Sequence, residues 1–269
     1  KKIKTLLLLL RKRTRNRGDL NGKKKKIKKK KKKRLSKLLL FIVIIILSYI
    51  LVFKTDIFIV VGIIVEGNNK LSYEEVVKAS TCNIGENIFK IDIKKGEESL
   101  NQIPYVKKSK IKRKLPDKII IEIEERKEVA AIQYLNLVAY IDIEGYILTI
   151  EENTGNILLP EIKGLDLESV EEGSSIYQEV SMEDMEEFIL YSENLDILEL
   201  MKEVDVSNKD NIIIYLKDGK LVAFGPLNNV KYKLSFLNGI LDDIEKKGLE
   251  VKKILFDKGE NPVIVTDNR

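Results

Sequence analysis

Ser181-Met182 is the only serine–methionine pair in the chain, and it is the first place to look for a Ser–Lys hydrolase. Such an enzyme pairs a serine nucleophile with a lysine base within hydrogen-bond reach. In an exported, membrane-anchored protease the serine would lie soon after the apolar segment, with its lysine on a nearby strand. Here the pair opens an acidic helix far downstream, and the first serine past the apolar run, Ser72, reads as a helix cap. Two acid clusters, Glu122/Glu124/Glu125 and Glu183/Asp184/Glu186/Glu187, have the residue types of a metal or acid–base site. Each lies among lysines or along a helix surface, the pattern of a solvated acidic face. The chain has no His, and Cys82 is its only cysteine, which excludes imidazole general acid–base chemistry, Cys/His zinc sites and an internal disulfide. No glycine-rich phosphate loop, dinucleotide fingerprint or nucleophile elbow occurs. The sequence therefore points to no catalytic, metal or cofactor site.

What the chain offers instead is a charge split around one apolar segment. Residues 1–37 hold 20 Lys/Arg against a single acid, Asp19, or +19; with +6 overall, residues 38–269 carry −13. Leu38–Phe53 is uncharged, and its 16 residues make a helix of about 24 Å, extended to about 28 Å by starting at Leu35 with Lys37 snorkelling. A cleaved signal would need a shorter apolar core and a small-residue cleavage site, and Lys54-Thr55-Asp56 supplies none. The lysines before the span, Lys23–Lys26, Lys28–Arg34 and Lys37, keep the N-terminus cytoplasmic and export the rest. They also predict attraction of the tail to an anionic membrane surface. No aromatics are interleaved for base stacking, so nucleic acid is not expected as a partner.

The exported part reads as α+β. Ile59–Val65 is a β-branched run ending in a Glu66-Gly67-Asn68-Asn69 turn, and Ser72 with Glu75 forms a capping box that starts a helix. A second helix is expected within 91–102, broken early by Gly96 and stopped by Pro104. Val106–Lys114, a Leu115–Lys118 turn and the alternating Ile119–Glu124 complete a strand–helix–helix–strand–strand unit with its helices on one face of the sheet.

Beyond Arg126, Val129–Leu135, Leu137–Ile143 and Tyr146–Ile150 predict an antiparallel meander. A helix starts at Ser181 with Met182, Met185 and Ile189 inward, and strands follow at Val204–Val206, Ile212–Leu216 and Leu221–Phe224. Val230, Leu234, Leu237, Leu241 and Ile244 form one buried helical stripe that ends at Gly248. Strands Val251–Phe256 and Pro262–Val265 close the chain.

Three stretches, VEGNNKLSYEEVVKAS, GENIFKIDIKK and PYVKKSKIKRKLPDKIIIEIEER, resemble the POTRA domain of the FtsQ/DivIB cell-division family. VAYIDIEGYIL, ILLPEIKG, KDGKLVAFG and the helix over Lys233–Ile244 are similar to that family's β-domain. The resemblance implies a cytoplasmic tail (1–37), a transmembrane helix with its outer flank (38–56), a POTRA-like domain (57–127) and a mixed, largely antiparallel β-domain with flanking helices (128–269). It further implies a noncatalytic divisome scaffold at the division septum that binds FtsB/DivIC-type and FtsL-type bitopic proteins and helps regulate septal peptidoglycan synthesis. The family's docking strand corresponds to Lys253, Ile254, Leu255, Phe256, Asp257, Lys258 and Gly259, with Phe256 as the anchor if it points outward. The competing reading is another exported single-pass POTRA-like protein or an unrecognised wall-modifying enzyme.

Overall fold

The computed structural model describes residues 32–179, 183–256, 258 and 261–266. Most of the lysine tail, the helix start at Ser181-Met182, Asp257 and Gly259 lie outside them. Helix α1 (Lys32–Lys54) has 23 residues and a mean hydropathy of 2.8 over its most apolar window, and none of that window is buried. It is long and apolar enough to cross a membrane. Among the described residues Lys32–Arg34 are already helical ahead of Leu35. Its last carbonyls have no partner within the helix, and side chains supply two: Thr55 Oγ1 donates to the Leu51 carbonyl at 2.5 Å and Asn87 Nδ2 to the Val52 carbonyl at 2.7 Å.

The described residues divide into two compact units. One gathers Gly62 and the described residues before it with Ile84–Ile91 and Arg113–Lys118; the other holds Ile63–Asn83, Asp92–Lys112 and the described residues from Ile119 onward. In the first, Val60 exchanges backbone bonds with 85–86 (Val60 N–H to Glu86 O, 2.9 Å; Gly85 N–H to Val60 O, 2.8 Å). Val61 N–H donates to Asp117 O at 2.9 Å, and the Arg113 guanidinium donates to the carbonyls of Ile88 and Ile91, both at 2.8 Å.

Along the chain come β1 (Gly62–Glu66), α2 (Tyr73–Ala79), α3 (Ile93–Leu100), β2 (Val106–Lys114) and β3 (Lys118–Glu125), with sheet order β1-β3-β2. The capping box at α2 forms as its spacing requires: Ser72 accepts from Glu75 N–H and Glu75 accepts from Ser72 N–H. Ile119, Ile121 and Ile123 are buried on one face of β3. Gly96 does not break α3; it sits buried inside it. A Cβ there would lie 2.5 Å from the Ser80 carbonyl and 2.8 Å from Ile111 Cδ1, so the glycine is what lets α3 close against the end of α2 and against β2. Packing, not backbone freedom, explains the residue.

The remaining strands are β4 (Ala130–Tyr134), β5 (Leu137–Ile141), β6 (Ile147–Glu152), β7 (Glu161–Lys163), β8 (Met201–Asp205), β9 (Ile212–Leu216), β10 (Leu221–Gly225), β11 (Val251–Leu255) and β12 (Val263–Thr266). They form one nine-stranded sheet ordered β12-β11-β10-β9-β8-β7-β4-β5-β6. The meander β4–β6 is antiparallel as predicted, but β4–β7, β7–β8 and β10–β11 are parallel. The three-residue β7 is too short to carry a periodic signal in the sequence. The other helices are α4 (Ile176–Glu179), α5 (Glu183–Asn194) and α6 (Val230–Lys247). Met185 and Ile189 of α5 are fully buried. On α6 the buried stripe is Val230, Leu234, Leu237, Ile240 and Ile244. Ile240 is buried in the place expected for Leu241, which is only partly buried. Gly248 caps the helix in the left-handed conformation at φ 60°.

Two helical glycines then give opposite stability effects. Gly239 of α6 has nothing within 4 Å of an added Cβ, so Gly239→Ala should stabilise by roughly 1 kcal/mol through helix propensity alone. Gly96→Ala should instead destabilise, by about 1–3 kcal/mol, because the new methyl has to displace backbone. Denaturant unfolding of the protein checks both. Equal stabilisation by the two substitutions would contradict the close approach at Gly96.

Candidate functional site

A sheet edge presents unpaired N–H and C=O groups that another chain can extend, so folded proteins cover, charge or shorten their edges. The two sheets have four edges, and three are managed. On β1, the Ile63 carbonyl accepts the Tyr73 hydroxyl at 3.1 Å. On β2, Lys107, Lys108, Lys110, Lys112, Arg113 and Lys114 line the strand, and the Ile111 N–H is taken by Glu97 Oε1 at 2.7 Å. On β6, the chain at 172–174 folds back along the strand: Ile147 N–H donates to Ser174 O (2.9 Å), Gly173 N–H to Ile147 O (2.8 Å) and Ile150 N–H to Glu172 Oε1 (3.0 Å).

The fourth edge is β12, and it is bare among the described residues. Val263, Ile264 and Val265 are 38–45% exposed although they alternate between the two sides of the strand. Neither face of β12 is seated on the core. Its inner edge pairs antiparallel with β11, Ile254 opposite Ile264 and Leu255 opposite Val263. A β-branched, uncharged, exposed edge strand is a docking site or an aggregation hazard.

Why β12 ends up outermost follows from α6. Strands β10 and β11 are parallel neighbours, so the chain must cross over between them, and α6 is that crossover. Its start is pinned by Lys233. The ammonium donates to the carbonyls of Phe224 (3.2 Å) and Pro226 (2.7 Å) and to Asn228 Oδ1 (2.8 Å), and it lies 5.0 Å from the Phe224 ring centre. Burial lowers the Lys233 pKa. Phe224 is fully buried and meets Phe188 at 5.5 Å and Phe256 at 5.9 Å between ring centres. A short antiparallel return from β11 then adds β12 on the outside.

The expected docking residues fall one strand further in. Lys253, Ile254 and Leu255 belong to β11, which is laddered on both sides, to β10 and to β12. Ile254 is fully buried. Phe256 donates its N–H to Ala223 O at 2.8 Å and packs partly buried against the core, so it is not an outward anchor. Lys258 is exposed in the turn after β11, while Asp257 and Gly259 lie outside the described residues. The strand the sequence reading did not single out is β12 itself. The signal was present in Pro262-Val263-Ile264-Val265, a short uncharged β-branched run, but a run of that kind reads equally well as core.

The acid clusters have structural partners. Glu122 pairs with Lys112, and Glu125 accepts the backbone N–H groups of Lys70 (2.7 Å) and Leu71 (2.9 Å), fixing the turn into α2. Glu187 meets Lys231 at 3.0 Å. Cys82 is buried.

Residues 60–126 match the model of the POTRA domain, FtsQ-type. The chain is 27% identical over 213 residues to the cell division protein DivIB of Clostridium tetani, covering 78% of this chain and 74% of that one. It is 28% identical over 201 residues to DivIB of Clostridium acetobutylicum, covering 74% and 80%. The cell division protein FtsQ of Syntrophotalea carbinolica is 26% identical over 157 residues, with 58% of this chain and 54% of that one covered. The solved major extracytoplasmic domain of DivIB from Geobacillus stearothermophilus aligns over 46% of this chain and 97% of that chain at 16% identity, with a TM-score of 0.29. An FtsQ-type POTRA match lies behind an apolar helix, and DivIB and FtsQ relatives align over most of the chain, so the chain is similar to the FtsQ/DivIB cell-division proteins.

Proposed function

We propose that this division protein is a noncatalytic, membrane-anchored scaffold that captures a bitopic partner by strand addition along β12. Support comes chiefly from one observation: of four sheet edges, β12 alone is apolar, exposed and uncovered among the described residues. Backbone pairing along such an edge gives affinity, and alternate side-chain positions give selection. An FtsB/DivIC-type or FtsL-type protein would supply the strand, and its capture would feed into regulation of septal peptidoglycan synthesis. In this reading β11, with Lys253–Phe256, is the rail that holds β12, and Lys258 borders the docking groove.

The topology proposed with it has the lysine tail in the cytoplasm and residues after α1 outside. It rests on the +19 of residues 1–37 against Lys54 as the nearest cation beyond the apolar run. In spheroplasts, external protease should then remove everything beyond the span and spare the tail; a protected exported part would refute it. The proposed division into a POTRA-like domain over 57–127 and a β-domain over 128–269 draws support from the two sheets, which share no ladder among the described residues.

Four variants separate docking from folding, read by partner pull-down and thermal melting side by side. Phe256→Ala should lower stability by about 2–3 kcal/mol, since it empties a place beside Phe224. Ile264→Lys should change stability by less than about 0.5 kcal/mol yet abolish capture of an FtsB/DivIC-type exported domain. Alternate N–H groups of an antiparallel edge point away from its neighbour. Of Ile264→Pro and Val265→Pro, one should therefore cost only binding and the other should also cost the β11 ladder. If Ile264→Lys and both proline variants fold and bind as wild type does, β12 is not the docking edge.

A further inference from the structure

Five large apolar side chains cluster by sequence and by backbone bonding at the exit of α1, and the scaffold reading gives them no role. Ile57, Val61, Ile84, Phe89 and Leu115 are 39–63% exposed. All belong to the compact unit that contains α1. Ile57 follows the end of α1 at Lys54 by three residues and Val61 by seven, and the 84–91 and 113–118 loops are bonded directly to this stretch. Ile88 N–H donates to Phe58 O at 2.8 Å, the Phe58 and Phe89 rings lie 5.2 Å apart, and Val61 N–H reaches Asp117 O at 2.9 Å. Asn87 makes the tie to the helix itself. It is buried, donates to the Val52 carbonyl in the last turn of α1 at 2.7 Å, and accepts from Phe89 N–H at 3.0 Å.

We propose that this rim is a membrane-contact surface: the 57–61, 84–91 and 113–118 loops rest their apolar side chains in the headgroup and upper acyl layer where α1 leaves the bilayer. Exposed apolar groups beside polar loops are the pattern of interfacial binding. The uncharged run of α1, 16 residues from Leu38 to Phe53, is about 24 Å long, or about 28 Å when counted from Leu35, against a hydrocarbon core of about 30 Å. Mismatch of that sign draws the flanking residues toward the bilayer. The charges agree in sign with an anionic lipid surface: Lys54, Lys90, Arg113, Lys114 and Lys118 outnumber Asp56, Glu86 and Asp117. Through Asn87, the loops follow the end of the helix and not the exported body alone. This contact does not depend on partner capture at β12, nor on which way the protein crosses the membrane.

The chain contains no Trp, so a single introduced tryptophan reports without background. Full-length protein carrying Ile84→Trp or Leu115→Trp is reconstituted into vesicles containing anionic lipid, with and without lipids brominated near the top of the acyl chain. Leu158→Trp, at a position 79% exposed in the other unit, serves as the water-exposed reference. Both rim tryptophans should emit to the blue of the reference and lose intensity on brominated vesicles, while the reference keeps its intensity. Rim tryptophans that emit like the reference and are not quenched would overturn the proposal and leave this face open to a protein partner. Asn87→Ala, read in the Leu115→Trp background, should reduce quenching if the side-chain tie to α1 sets the depth. Unchanged quenching would show that the backbone bonds suffice and would remove Asn87 from the proposal.

Discussion

One guanidinium joins the two sheets. Arg126 follows β3, and its N–H donates to the Tyr105 carbonyl at 2.8 Å. Its side chain bonds Asp142 and, at 2.7 Å, Glu144, and it lies 4.1 Å from the ring centre of Tyr146. Asp142 is nearly fully buried, and its other oxygen accepts the N–H groups of Glu144 (2.9 Å) and Tyr146 (2.8 Å). The same carboxylate therefore shapes the β5–β6 turn and receives the arginine. Around it Lys107 meets Glu144 at 2.9 Å, Lys70 meets Glu128 at 3.0 Å, and the Tyr105 hydroxyl donates to Glu128. Loss of one partner from a buried pair costs about 3–5 kcal/mol, and the two backbone donors to Asp142 put this case toward the lower end. The exposed Lys–Glu pairs at its border add little by comparison. Bonds from Lys107 and then Arg126 hold the Glu144 carboxyl below its ordinary pKa. Its contribution is therefore full above the unfolded value and is lost as pH falls through the folded one.

With the seam fixed, the edges decide what the molecule can do. A sheet of nine strands has to end somewhere, and each end needs a device. Here β6 is covered by the chain at 172–174, β2 is charged, and β1 has its Ile63 carbonyl capped. The device missing at β12 among the described residues is the informative feature. Leaving three β-branched residues in water on a free edge is costly in solubility, a cost that strand addition would remove. The order of the last elements produces this arrangement without further help. A parallel β10–β11 step demands the α6 crossover, and a short antiparallel return then places β12 beyond β11.

Much of this was legible from residue patterns, and what was missed has physical causes. The apolar segment, the Ser72–Glu75 capping box, the Ile119/Ile121/Ile123 face and the β4–β6 meander announce themselves by period and turn chemistry, because each is a local consequence of local residues. Gly96 was misread because its reason is tertiary: the carbonyl of Ser80, sixteen positions earlier, occupies the space of its Cβ. The short β7 and the parallel pairings have no local signature at all. The place of Lys253–Phe256 in the sheet was hidden from the sequence for the same reason. Ile254, Leu255 and Phe256 look like an apolar docking strand in sequence, and only the ladders on both sides reveal that β11 is interior and β12 is the edge.

Amide hydrogen exchange tests the edge most directly, because it reads backbone pairing without altering a residue. The full-length protein in detergent or nanodiscs is compared with and without the exported domain of an FtsB/DivIC-type partner. The account predicts that the largest slowing falls on the β12 amides, Val263–Thr266, with β6 and β2 unchanged. Partner-dependent protection that appears on another edge or a helix face, while β12 exchanges as fast as in the free protein, would contradict it.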